Sequence, residues 1–286
     1  MPRIQTLAPT PALAPFVESL GWYESDEPAP AGLERAVPTG LTQLIVNLCE
    51  DELRWHAGGI VHRRLGIGLS APSDRPVTID TGERRRSICV VFRPGGAYPF
   101  LGPPADALDE PVVSLADLWN DDRDLRGRLL EAPSPRTALL LLQEELVARA
   151  TRPLDPDRGI AAAAAALGRG LPVGEVSDRL GTTTGALRRR FAAQVGLTPK
   201  RYGRVRRLQR LIDAALRRPG FDWSRAAVET GYFDQAHMVN DFRALTGVTP
   251  SAYRPRSPLE RNHVPLTTVA PRSSSYATVG SSPASP

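Results

Sequence analysis

The run Leu187-Arg188-Arg189-Arg190-Phe191-Ala192-Ala193-Gln194-Val195-Gly196-Leu197-Thr198-Pro199-Lys200-Arg201-Tyr202 has a second copy 51 positions on, Met238-Val239-Asn240-Asp241-Phe242-Arg243-Ala244-Leu245-Thr246-Gly247-Val248-Thr249-Pro250-Ser251-Ala252-Tyr253. The apolar pair four apart is kept, Leu187 and Phe191 becoming Met238 and Phe242. The glycine, the Thr-Pro step and the tyrosine are kept as well. Upstream, Gly181 matches Gly231 at a shift of 50, so the second copy carries one extra residue in its turn. A repeat on this scale is a whole supersecondary unit: helix, glycine-containing turn, helix. With arginines along its second helix, it has the build of a helix-turn-helix that lays one helix in a DNA groove.

In the first unit Val173, Val176 and Leu180 predict a supporting helix ended by Gly181, where a left-handed cap costs least. Thr183 is the expected N-cap of the second helix. Leu187 and Phe191 must point inward, which turns Thr184, Gly185, Arg188 and Arg189 outward from the half that meets base edges. Arginine there suits the bidentate contact to guanine O6 and N7. In the second unit Asp222 is read as capping a helix that carries Trp223, Ala226 and Ala227 and ends at Gly231. Asp234 caps the next, leaving Gln235, Ala236, His237 and Asn240 exposed; Gln and Asn suit adenine.

Between the units, Thr198-Pro199 starts a helix through Arg217, with Pro219 beyond. About 19 residues at ~1.5 Å each span roughly 28 Å, close to the ~34 Å between successive major-groove faces. Lys200, Arg201, Arg204, Arg206, Arg207 and Arg210 on this helix are too many for one role. Lys200 and Arg201 are assigned to DNA, and the set divides between phosphate contact and a solvated face.

Charge divides the chain the same way. Residues 1–157 hold 16 Arg against 23 acids, a balance of −7, whereas 158–256 hold 17 Arg and one Lys against 7 acids, a balance of +11. A polyanion partner for the basic part explains that division. At 286 residues two domains are expected. No run reaches the ~20 apolar residues of a membrane span, and the N-terminus lacks a signal pattern, so the expected location is the cytoplasm with no membrane partner. Cys49 and Cys89 make neither a disulfide scaffold nor a metal cluster and are read as buried hydrophobes in strands.

Residues 13 to about 113 read as β. Phe16–Leu20, Thr42–Val46 and Ser87–Phe92 are short apolar or alternating runs, punctuated by Ala71-Pro72-Ser73-Asp74 and Arg93-Pro94-Gly95-Gly96. They suggest a small barrel or jelly roll. From Leu115 the pattern turns helical, and Ser134-Pro135 opens a helix through Ala150 with Leu139, Leu142 and Leu146 at helical spacing. Leu140, Leu141 and Val147 widen its apolar face, which either packs on its own domain or is covered by a second subunit in a homodimer. Asp155-Pro156 starts a further helix through the alanine block, ended by Gly168, and 257–286 reads as a disordered tail. The domains are thus 1–150, 156–256 with helix-turn-helix units at 173–195 and 223–246, and the tail. The fold class is α+β multidomain: an N-terminal β-barrel or cupin-like domain with helices, then an all-α domain of about seven helices.

Gly231-Tyr232-Phe233-Asp234-Gln235-Ala236-His237-Met238, then Phe242-Arg243, then Gly247-Val248-Thr249-Pro250-Ser251-Ala252-Tyr253-Arg254 resemble the AraC/XylS family of bacterial transcription regulators. The resemblance covers 156–256. It implies seven helices, two helix-turn-helix units, a linking helix, double-stranded DNA as partner and RNA polymerase as a further one. Family base contacts carry over to Gly185, Arg188 and Arg189, and to Gln235, Ala236, His237 and Asn240. Gly185 departs from the larger side chains common in the family. Phe92-Arg93-Pro94-Gly95-Gly96-Ala97-Tyr98-Pro99-Phe100-Leu101-Gly102 is similar to the cupin-like sensor domains of one branch, which implies an effector without naming it.

An enzyme needs a catalytic constellation, and none is legible. His56 and His62 lie near Glu50, Asp51 and Glu52, but the His-x-His spacing of a metal-binding cupin is missing. Nucleophile motif, phosphate loop and dinucleotide fingerprint are missing too. No cofactor and no metal are expected. Three readings stay open: a regulator responding to a small molecule or partner, a regulator whose N-terminal half only dimerises, and an enzyme with a DNA-binding tail. Trp22, Tyr23, Trp55 and Phe92 either line an apolar pocket or fill a core.

Overall fold

The computed structural model describes residues 3–26, 32–80, 85–119, 124–217, 223–257 and 260–266. The N-terminal strands are β1 (Arg3–Thr6), β2 (Val17–Glu24), β3 (Leu33–Ala36), β4 (Gln43–Asn47), β5 (Glu52–Ala57), β6 (Ile60–Leu65), β7 (Ile67–Ser70), β8 (Val77–Asp80), β9 (Arg86–Phe92) and β10 (Val112–Ser114). Three helices follow: α1 (Leu115–Trp119), α2 (Leu125–Leu130) and α3 (Pro135–Ala148). The C-terminal domain holds α4 (Arg158–Arg169), α5 (Val173–Arg179), α6 (Thr184–Val195), α7 (Pro199–Arg217), α8 (Trp223–Glu229), α9 (Gln235–Thr246) and a 3-10 turn at Pro250–Ala252. A last strand, β11 (His263–Pro265), lies beyond them.

The strands form two antiparallel sheets, ordered β1-β2-β9-β4-β7-β10 and β11-β3-β8-β5-β6. Among the described residues they do not close into a barrel. The ladders stop at outer strands, so the expected barrel is an open sandwich. Period-two alternation sorts the six-stranded sheet into unlike faces. Leu20 and Trp22, Leu44 and Val46, and Ile88, Val90 and Phe92 pack against the 3-10 turn at Tyr98–Phe100 and the helices. Gln43, Ile45, Asn47, Ser87 and Cys89 face the other sheet instead. The domain's apolar core therefore lies outside the sandwich, and the space between the sheets is left for something else.

Ser134 caps α3, accepting from the Thr137 N–H at 3.1 Å. Leu139, Leu142 and Leu146 are buried in the core of their own domain, with Leu141 packed against it. Leu140 and Val147 stay 39% exposed. Trp22, Trp55 and Phe92 are buried core residues; of the aromatic quartet, Tyr23 borders the intersheet space. Cys49 departs from its expected burial, sitting exposed at a bend where its Sγ accepts from the Arg86 N–H.

Helix α4 is capped by Asp157, two residues later than read, and ends at Gly170 with φ +99°, not at Gly168. The repeated units share their caps, buried pairs and ring contacts. Thr183 accepts from the Ala186 N–H, and Asp234, 51 positions on, from the His237 N–H. Leu187, Phe191, Met238 and Phe242 are buried. Phe191 meets Tyr202 edge-on at 5.3 Å, and Phe242 meets Tyr253 at the same 5.3 Å. The inferred cap at Asp222, and Pro219, lie outside the described residues.

The tail departs most from expectation. Residues 260–266 are ordered, and β11 pairs with β3 of the N-terminal domain. Val264 joins Val37 in the core of the helical domain, and the Leu266 N–H reaches the Leu33 carbonyl at 2.8 Å. Burial of Val264 and the free edge of β3 supply what the polar composition hid. Residues 258–259 and 267–286 lie outside the described residues.

Candidate nucleic-acid interface

The inward pairs set the outward faces. Thr184, Gly185, Arg188 and Arg189 on α6 are exposed, as are Gln235, Ala236, His237 and Asn240 on α9. The arginine triplet divides. Among the described residues Arg188 and Arg189 have no hydrogen-bond or ion-pair partner, whereas Arg190 turns back to Asp157, its Nε 2.7 Å from the carboxylate. Burial alone would raise the Asp157 carboxyl. The Ile160 N–H, the Gln194 amide and the Arg190 guanidinium together hold it below its ordinary value. A Cβ at Gly185 would meet just the Arg189 guanidinium, at 3.8 Å, so the glycine leaves that arginine room to swing. On α9 the His237 ring stands edge-on against buried Tyr232, 5.4 Å between centroids, which fixes its direction at the helix start. Phe233, 89% exposed in the turn before α9, is a surface aromatic that the sequence reading passed over.

The cations of α7 are largely committed elsewhere. Arg204 and Arg207 pair with Asp241, a 6% exposed carboxylate on α9. Arg207 also lies over the Tyr232 ring at 4.3 Å, and burial pushes that phenol up to about 12. Arg210 donates to the Gly168 and Thr230 carbonyls. Arg206 donates to the Thr39 carbonyl of the N-terminal domain at 3.3 Å. Arg201 binds Asp74 of that domain, Nε to Oδ2 2.7 Å, and this hydrogen bond holds the Asp74 carboxyl below its ordinary range. Lys200 is exposed at the helix start. The expected solvated stripe of cations is thus largely a set of clamps, and Arg201, assigned to DNA from the sequence, is engaged by Asp74.

The domains meet over more than ion pairs. Arg35 donates to the Gly247 carbonyl at 2.6 Å, and Gln209 donates to the Pro38 carbonyl at 2.8 Å. Gly95 of the Arg93-Pro94-Gly95-Gly96 turn, at φ +78°, packs on Ile160 and Gln194. A Cβ at its neighbour Gly96 would overlap the Phe16 carbonyl, so this motif is a close-packed joint.

Between the sheets lies a cavity of about 380 Å³, within the usual size of a small-molecule site. Its walls mix apolar Ile45, Leu53, Val77 and Ile79 with Gln43, Asn47, Ser70, Ser87 and Arg54. Arg256, Glu260, Asn262 and His263, residues that follow the DNA-binding units in the chain, also line it. Sequence reading missed this part of the wall. Its one signal was the short apolar run Val264-Pro265-Leu266. Among the described residues no group of three or more His, Cys, Asp and Glu is placed to hold a metal ion. No described helix is long and apolar enough to cross a membrane.

Two repeated cap–turn–recognition units joined by one long helix define a double helix-turn-helix domain, carried beside a cavity-bearing sheet domain. Residues 176–256 match the model described as a helix-turn-helix domain, and 5–114 match a domain of unknown function, DUF6597. The chain thus carries an AraC-type helix-turn-helix domain at its C-terminal end. Among solved structures it is similar to unsaturated-fatty-acid-bound ToxT from Vibrio cholerae, with 11% identity, 80% of this chain and 96% of that chain covered and a TM-score of 0.42. A second ToxT structure gives 12% identity, coverage of 88% and 97% and a TM-score of 0.40. The AraC-like transcriptional activator CuxR gives 15% identity, coverage of 73% and 79% and a TM-score of 0.31. No curated protein matches the chain.

Proposed function

We propose that this chain is a sequence-specific regulator of transcription, with bases read by Arg188 and Arg189 from the first unit and by Gln235, His237 and Asn240 from the second. A small-molecule effector occupies the intersheet cavity, and RNA polymerase is the partner through which bound protein acts. The observation that carries the reading is the pairing of exposed polar faces on α6 and α9 with equally spaced, buried inward pairs, Leu187 and Phe191 matched by Met238 and Phe242. Two equivalent helices are thereby presented at the ends of a helix about 28 Å long. Supporting the effector is a cavity whose walls come from both the sheet domain and the tail that follows the DNA-binding units.

The test is a footprint of the full chain on its own upstream region, followed by titration at rising salt. Protection of two segments one helical turn apart, with affinity falling steeply as counterions are released, is the expected result. Arg188→Ala with Arg189→Ala that leaves the footprint and its affinity unchanged overturns the assignment.

A further inference from the structure

We infer that the intersheet cavity takes a small molecule carrying a basic nitrogen, an amine or guanidine, and that this ligand competes with the tail for Glu34, so that occupancy releases β11 and loosens the grip of the sensor domain on the helical one. This rests on the reading of the chain as an effector-responsive regulator and names the ligand chemistry and the coupling of the same cavity.

The charge of the walls sets the ligand class. Glu34, Glu50, Glu52, Asp80 and Glu260 line the cavity against Arg54, Arg75 and Arg256, two more carboxylates than guanidinium groups. Arg54 is already consumed inside the wall, 2.7 Å from Glu50, 2.9 Å from Glu52 and 4.0 Å from Asp80. Glu34 is the deepest acid, its side chain 3% exposed. A carboxylate so far from water needs a cation beside it. Here that cation is Arg256, in direct contact, and the His263 ring stands beside it with Nδ1 3.3 Å from Oε2. Both come from the tail. A cationic ligand and the docked tail therefore claim one carboxylate, and this exclusion is the differential binding by which a ligand moves an equilibrium.

The tail is also the strap between the domains. On the sensor side the Val37 N–H donates to the Asn262 carbonyl at 2.7 Å, and the Leu266 N–H to the Leu33 carbonyl at 2.8 Å. On the helical side Asn262 accepts from the Gln209 amide at 2.9 Å, and Arg261 pairs with Asp213 at 2.7 Å. Tyr253, which closes the second repeat, donates its hydroxyl to the Arg261 carbonyl. Lifting β11 off β3 breaks this bridge beside the joint where Asp74 holds Arg201.

The experiment is amide hydrogen exchange on the full chain, read at Val37 and Leu266, with agmatine and putrescine as cationic probes. Butyrate and glucose at equal ionic strength serve as chemical controls. Either cation is expected to speed exchange at both amides about tenfold, a local opening, and Glu34→Gln to abolish the response. Arg256→Ala should speed the same amides without any probe, and it carries the test of the strap if Glu34→Gln does not fold. Exchange unmoved by both cations overturns the proposal, as does a response to butyrate or glucose in their place. Amides that stay protected in Arg256→Ala overturn the strap. None of these readouts uses DNA. A chain that fails to bind duplex sinks the regulator reading while leaving the exchange result to stand or fall separately.

Discussion

In the first helix-turn-helix unit Arg190 reaches back to Asp157 at the start of α4. At the matching position of the second unit Asp241 reaches back to Arg204 and Arg207 on α7. Each recognition helix is tied to the helix that precedes its unit by an ion pair, and the signs are reversed between the copies. The inward pairs, by contrast, keep both their chemistry and their spacing, down to the aromatic contact at 5.3 Å. Packing against a fixed neighbour tolerates little change of volume, whereas an ion pair asks only for opposite charges at one place. The exchange of sign has a consequence for DNA. The second tie occupies two arginines of α7, while the first leaves Arg188 and Arg189 exposed. The first unit therefore exposes Arg188 and Arg189 on its second helix, and the second exposes Gln235, His237 and Asn240, the faces proposed to meet the duplex.

If the two cores are equivalent, Phe191→Ala and Phe242→Ala should each lower stability by about 3–5 kcal/mol. Urea unfolding of both variants checks this, and a gap of more than about 2 kcal/mol between them breaks the equivalence. The ties should be less equal. Asp241→Ala leaves two partly exposed arginines without their carboxylate and is expected to cost about 1–3 kcal/mol. Asp157→Ala removes an N-cap and a more exposed pair, about 1 kcal/mol. Since the folded Asp157 carboxyl lies below its ordinary 3.8, its contribution is complete above that pH and is lost as pH falls through the lower folded value. Asp157→Asn should flatten that acid limb.

On DNA, Arg189→Ala should cost about 1–3 kcal/mol on the specific site and narrow its advantage over random duplex. Asn240→Ala should lower discrimination without changing the salt dependence. Equal losses on specific and random DNA for Arg189→Ala would make its role electrostatic and erase the contrast between the units. The smallest effect is expected at Lys200. Its replacement by alanine should weaken all sequences alike and reduce the slope of log affinity against log salt by about one.

The helical domain was legible because its determinants are local. Glycines at φ +61° and +87° end the supporting helices, caps precede the recognition helices, and apolar residues four apart select the buried face. Each of these acts within a turn or two of chain, so a repeat in sequence is a repeat in structure. By itself the sequence therefore determined the two units, the length of α7 and which side chains of α6 and α9 are exposed. What lay beyond it was the pairing of residues distant in the chain. Nothing near Arg201 names Asp74, and nothing near Glu34 names Arg256 and His263, more than two hundred positions away. The strand at 263–265 looked like tail because a three-residue strand has no periodicity to read and gains its stability from the edge of β3 and the burial of Val264. The leucines of α3 likewise carried an ambiguous signal, since an apolar stripe states that it is covered without stating by what. Tertiary structure decided those partners, and with them the cavity, because ion pairs, sheet edges and enclosed space depend on positions in three dimensions that local propensity does not encode.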